Sequence, residues 1–196
     1  MRYSYSGMAT WQKCPRQFEA KYITRTWPET PPTPALVRGK AVHNALEQYL
    51  IDGTPVDAAL NVWTPDGLLD KLRQAQATPE VKLEWSRPHV IGYVDVLLTV
   101  DDAAVVIDWK TGKLRPDPLQ SDVYTALLRW NGVAQDISFT WVGVDSCKTV
   151  SSQPDRNAER RVLDLIDMIE ADQTYPPIKS WLCRFCPLTW CEHHDG

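Results

Sequence analysis

The chain has 196 residues and a net charge of −4, enough length to bury one core and too little to demand two. Apolar residues make up 43% and charged residues 23%, ordinary for a soluble globular protein. No run of about eighteen apolar residues exists, so no membrane span is expected, and a charge of −4 is not the broad basic footprint of a protein that grips nucleic acid by charge alone. That charge leaves room for an acidic metal centre acting on nucleic acid, because a bound divalent ion reverses the local sign of charge.

From the N-terminus, MRYSYSGMATWQKC lacks the apolar stretch of a secretory signal, which places the protein in a cytoplasm. Its five cysteines are then expected as thiols or metal ligands rather than disulfides. Residues 6–24 carry Met8, Trp11, Cys14, Phe18 and Tyr22 at helical spacing, with Ser6 as N-cap and Pro15 as a kink. Residues 27–36 are a proline-rich connector. Residues 36–53 form an amphipathic helix with Val42, Ala45, Leu46, Tyr49 and Leu50 on one face and Gly53 at its end. A further helix is expected over 56–76, broken near Pro65. The texture then turns to strands: 80–87, 90–100 and 103–110, with a turn at Asp101 and Asp102. Residues 119–130 return to helical spacing, 136–144 read as a fourth strand, and 155–171 as a charged amphipathic helix. The class is α/β, a small mixed central sheet flanked by helices, in a single domain over 1–196.

Asp95 sits within the second strand and Asp108 near the end of the third. Period-2 geometry puts Asp108 and Lys110 on one face and Trp109 on the other. Two carboxylates and an ammonium then meet at one sheet end, where their burial is costly unless they are paired or bind metal. Oxygen-rich sites of this kind suit Mg²⁺ or Mn²⁺. Read in isolation, the same pattern describes two strand acids bridged to a lysine. His43, one helical turn before Glu47, can add an imidazole to a metal shell or stand as a solvated histidine. Gln120 and Tyr124, also one turn apart, can hydrogen-bond a phosphate or a catalytic side chain, or form an ordinary helix surface. Trp27 and Trp109 are candidates for stacking on unpaired bases, with core packing as the alternative.

The order SYSGMATWQKCPRQF, RGKAVH, GYVDVLL, VIDWKTG, QSDVY and a terminal cysteine cluster resembles the RecB-type branch of the PD-(D/E)xK nuclease superfamily. It is similar in particular to iron–sulfur members: CRISPR-associated RecB-like, AddB-like and small phage exonucleases. The resemblance covers nearly the whole chain. It implies a restriction-endonuclease-like core over about 36–145. The activity implied is that of a Mg²⁺/Mn²⁺-dependent DNA exonuclease on single strands or DNA ends, with 5′→3′ polarity favoured, in recombination, repair or phage DNA processing. It implies His43, Asp95, Asp108 and the Trp109 carbonyl as metal ligands and Lys110 as the catalytic lysine. Gln120 and Tyr124 become a helix pair beside them, and Glu84 matches an auxiliary acid of some members. The literal Pro-Asp of the superfamily name is absent here.

Cys183, Cys186 and Cys191 have the close spacing that lets one loop wrap a metal centre. Alone they read as a zinc site completed by His193 or His194. Beside the resemblance, Cys14 matches the family's distant first ligand, and four thiolates would hold a [4Fe–4S] cluster. Family members usually have five residues between the last two cysteines; this chain has four. The four-thiolate centre, which recruits Cys14, would clasp the first helix to the last segment. Cys147 is expected to be a spare buried thiol and His89 part of a turn. The rivals to the exonuclease reading are a non-catalytic, zinc-clasped nucleic-acid-binding module and a subunit of a recombination or spacer-acquisition complex.

Overall fold

Apolar side chains at alternate positions and β-branched residues draw 78–110 into a meander of three antiparallel strands. These are β1 (Thr78–Ser86), β2 (His89–Val100) and β3 (Ala103–Lys110). The computed structural model, which describes residues 1–134 and 136–194, continues the sheet with β4 (Asp136–Gly143) and β5 (Lys148–Ser152). The spatial order is β1-β2-β3-β4-β5. β4 runs parallel to β3, so the chain must cross over, and it does so through α5 (Pro118–Trp130). β5 is antiparallel to β4, and the sheet is mixed.

Helices cover both faces. On one, α5 and α6 (Ala158–Ala171), with Met8 of α1 (Tyr5–Lys13), close over Val94, Val106 and Phe139. On the other, Val42, Leu46 and Leu50 of α3 (Pro34–Asp52) pack with Leu72 of α4 (Leu68–Gln74) on Val96, Ile107, Trp109 and Val142. Each such Leu or Phe contributes roughly 1.5–3 kcal/mol by leaving water. β3 therefore lies between two apolar layers: Val106 serves one and Ile107 the other. That position carries Asp108 and Lys110 into the protein. No helix is long and apolar enough to cross a membrane.

Several expectations are corrected. The region 6–24 is three pieces: α1, the four-residue α2 (Pro15–Phe18), and a π-helical turn (Glu19–Ile23). Pro15 opens α2, where its missing N–H costs nothing, and the N-cap of α1 is Ser4, which accepts the Gly7 amide. The expected helix over 56–76 reduces to a turn (Ala58–Leu60) and α4, whose N-terminus begins at the left-handed Gly67 (φ 66°). β5 was not foreseen, because four of its five residues are exposed and give no apolar alternation. Cys147 is exposed at a left-handed turn (φ 53°) between β4 and β5, not buried. His89 opens β2 and bonds Glu84 rather than sitting in a turn. Trp109 is 3% exposed and is core, so it offers no face to a base.

Candidate metal centre

β2 and β3 pair from Val100↔Ala103 to Val96↔Ile107 and then part. One residue beyond, Asp95 Oδ2 accepts the Trp109 N–H at 2.8 Å, so a carboxylate takes the place of a strand neighbour. Its other oxygen lies 3.4 Å from His43 Nδ1 of α3. Asp108 and Lys110 share the face of β3 turned to α5, and Lys110 Nζ is 2.7 Å from Asp108 Oδ2. Gln120 of α5 joins them: its amide NH₂ donates to Asp108 Oδ1 at 2.5 Å, and its carbonyl accepts from Lys110 Nζ at 2.9 Å. The same carbonyl accepts from Trp141 Nε1 at 3.2 Å. Tyr124, one turn on, is buried beside Gln120 and within the field of Asp108.

A third carboxylate, absent from the sequence reading, completes the group. His43, Glu80 and Asp95 each present a ligand atom within 4.8 Å of the others. Glu80 lies in β1 opposite Asp95, between the pairs Pro79↔Val96 and Val81↔Val94, at a left-handed backbone position (φ 47°). The strand alternation of 80–87 gives Glu80 and Glu84 the same parity; only the hairpin register at Arg87-Pro88 sets Glu80 against Asp95. Glu84, the auxiliary acid of the sequence reading, pairs with Ile91 instead and is bonded to Lys82 and His89 at the surface. A cleft of about 610 Å³ opens over the group, lined by Lys40, His43, Glu47, Glu80, Tyr93 and Thr111 among others.

The groups strain against one another. Burial, then the charge of Asp95, pushes the Asp108 carboxyl up to about 6 despite Lys110 and Gln120. Burial and the nearby Asp95 and Glu47 raise Glu80 as well. Burial disfavours the His43 imidazolium, but its bond to Asp95 and the fields of Asp95, Asp108 and Glu80 win, and its pKa is raised. Asp108 Oδ2 is buried and makes no directed hydrogen bond, although the Lys110 ammonium lies beside it. A divalent cation would answer this: it supplies positive charge to a set of hard oxygens with one imidazole, the donor set of Mg²⁺ or Mn²⁺. The residues present fit such an ion.

Packing explains two of the sequence motifs. A Cβ on Gly39 would come within 3.2 Å of Thr111 Oγ1, so the glycine lets α3 sit close to the loop after β3. Arg38 grips Asp145 with both terminal nitrogens (2.5 and 3.2 Å), and Asp145 in turn accepts the Gly112 N–H. The helix that carries His43 is thereby tied to the strand that carries Asp108.

At the far end, Cys14, Cys183, Cys186 and Cys191 line one small cavity together with His193 and His194. Cys14 is buried and caps α2; Cys183 opens a single 3-10 turn (Cys183–Phe185). Two sulfurs accept hydrogen bonds, Cys183 from the Ser180 N–H (3.3 Å) and Cys186 from Gln17 Nε2 (3.5 Å). Among the described residues the one triple of metal-ligating atoms within 4.8 Å is His43, Glu80 and Asp95. Trp27 is covered by Lys21, whose Nζ lies 4.1 Å from the ring centroid.

Comparisons with known proteins agree in outline. A family profile described as "PD-(D/E)XK nuclease superfamily" matches residues 2–87 and 63–191. No curated protein sequence matches. A solved structure described as "Crystal structure of SSO0001" superposes with a TM-score of 0.59 over 100% of this chain and 88% of the other, at 16% identity, a likeness of fold.

Proposed function

The chain belongs to the PD-(D/E)XK nuclease superfamily, whose members use divalent metals, and on that premise we propose that it is a Mg²⁺/Mn²⁺-dependent DNA exonuclease. The single observation that carries this is the fork between β2 and β3, where Asp95 stands in for a strand neighbour and meets His43 and Glu80. The proposed ligands are His43, Glu80, Asp95 and Asp108. Trp109 adds its carbonyl, since an extended residue projects N–H and C=O to the same edge and its N–H is already on Asp95. When bound, the ion would polarise the phosphodiester and acidify an attacking water.

The chain's own groups do the rest. Lys110, about a quarter exposed, has two contacts fixed by Asp108 and Gln120 and keeps donor capacity toward the cleft. It is placed to orient a water or to stabilise charge on the phosphoryl oxygens. Gln120 keeps Asp108 and Lys110 in register, and buried Tyr124 keeps bulk water from their rear. His43 binds metal only when neutral, so its raised pKa makes ion and proton compete.

Single strands or DNA ends are the proposed substrate, in recombination, repair or phage DNA processing within a cytoplasm, and 5′→3′ polarity rests on the resemblance alone. The four cysteines are proposed to hold a [4Fe–4S] cluster; their shared cavity and the N–H donors on two sulfurs support it. The test is degradation of end-labelled single-stranded DNA with Mn²⁺, Mg²⁺ or EDTA, beside Asp108→Ala. Metal-dependent loss of label in the unmutated protein and none in the variant is expected; an unmutated protein inert with both metals defeats the reading. Anaerobically purified protein should carry about four irons. One zinc and no iron would return the clasp to the rival description.

A further inference from the structure

We propose that a tyrosine-lined trough beside the metal centre stacks the bases of an unpaired DNA strand and so sets the substrate class; this rests on the nuclease reading above. The trough is a second cavity, of about 390 Å³, lined by Arg2, Tyr3, Tyr5, Tyr22, Tyr93 and Tyr124 among others. That volume lies within the roughly 300–1,000 Å³ of small-ligand sites.

Its origin is the same fork that makes the metal centre. The N-terminal segment joins the β3-facing side of β2 at Val90 and Ile91, where Tyr3 exchanges backbone hydrogen bonds with His89 and Ile91. β3 joins that side only from Val96 onward. Between them, over residues 92–95, the sheet stands open, and the trough lies there. Gly92 shapes the floor: a Cβ at that position would strike the Tyr124 ring at 2.7 Å. Glycine lets Tyr124 lie flat against β2, stacked on Phe139 behind it (centroids 6.1 Å, planes 5° apart).

Two residues connect trough and centre. Tyr93, 53% exposed, lines both the trough and the cleft that holds His43 and Glu80. Tyr124 faces the trough and sits within the field of Asp108 and Asp95. A strand with its scissile phosphate at the metal would therefore lay its neighbouring base in the trough. The chemistry of the lining suits a base and its phosphate. Arg2 is the one charged residue among those lining it, in a chain that carries 25 acidic residues against 21 basic. Tyr93 and Tyr22 offer the open faces, Tyr22 leaning on Phe18 at 5.2 Å; Tyr3 and Tyr124 are buried and form the wall behind them, with Tyr3 and Tyr5 fixed by hydrogen bonds to Glu170 and Asp117. Fixed aromatic faces stack any base without reading its sequence. A paired base, closed in its duplex, has no free face to offer.

The experiment uses the full chain in EDTA, so binding is read without hydrolysis. Fluorescent oligo-dT is titrated into the unmutated protein and into Tyr93→Ala, Tyr93→Phe, Tyr22→Ala and Tyr22→Phe, with an abasic strand of equal length as second probe. Each Ala variant is expected to weaken oligo-dT binding about tenfold, with each Phe variant restoring it. The abasic strand is expected to bind weakly and to be insensitive to the tyrosines. Equal Kd for oligo-dT in all five proteins, or equal binding of the abasic strand, overturns the trough. Exposed Tyr93 separates stacking from misfolding, since its loss removes no core contact. The two readings fail separately. Mn²⁺-dependent hydrolysis with unchanged Kd and KM in the variants removes only the trough. Tyrosine-dependent binding without any hydrolysis removes only the nuclease.

Discussion

The metal centre and the cysteine clasp place ligands by opposite means. At the centre, β1, β2, β3 and α3 hold His43, Glu80, Asp95 and Asp108 in place before any ion arrives, and the carboxylates repel one another there. At the clasp, one 3-10 turn is the only regular element among residues 172–194, and four thiols converge from chain positions 14 and 183–191. The fold bears the strain of the first site; the second has little regular structure to hold its four thiols together. On the proposed reading a metal would do different work at the two ends: chemistry where the scaffold is already rigid, and folding where it is not.

Four measurements can break or sharpen that contrast, from the largest effect downward. Cys14→Ala should abolish iron binding and cost the protein about 3–5 kcal/mol, seen as a large fall in thermal midpoint. A variant that loses its iron but melts as before would make the clasp an ornament. Asp108→Asn should do the reverse: hydrolysis falls by about a thousandfold or more, yet the metal-free protein gains on the order of 1–3 kcal/mol in urea unfolding. Destabilisation instead would mean that the Lys110 contact outweighs burial. Glu80→Gln should weaken Mn²⁺ binding about 10–100-fold by calorimetry, whereas Glu84→Gln, at the surface with Lys82 and His89, should leave it unchanged.

The smallest effect is in pH. Asp108, raised to about 6, is ionised at a cost in the folded protein, so its contribution is fully present only below the ordinary carboxylate value, is lost as pH rises from there, and has gone once pH passes about 6. His43, also raised, adds stability below the ordinary histidine range that is likewise lost as pH rises through its folded value. The metal-free protein should therefore be more stable near pH 5.5 than near pH 8, by chemical denaturation, and Asp108→Asn should flatten the difference.

Much of this was legible in the chain. Apolar alternation gives β2 and β3, and parity alone puts Asp108 with Lys110 and turns Trp109 away. The superfamily was legible from the order of its motifs. Glu80 was not, because two acids of equal parity lie on one strand and only the hairpin register chooses between them. β5 escaped for want of apolar residues, and the capping role of Ser4 because Ser6 is an equally good cap by type. A place at a strand end predicts a buried Cys147, but a left-handed turn carries it outward.

Gln120 has a consequence of its own. An amide is polarised end to end, and here its donor end seats on Asp108 while its acceptor end takes both Lys110 and Trp141. Turned about, it would set its N–H group against the ammonium and the indole N–H, donor facing donor, beside an acid left with only an oxygen to face. The helix therefore reads the acid and the base in one order only. Exchanging them, Asp108→Lys with Lys110→Asp, preserves every charge and still leaves a sentence spelled backwards, with no rotation of Gln120 that satisfies all three partners.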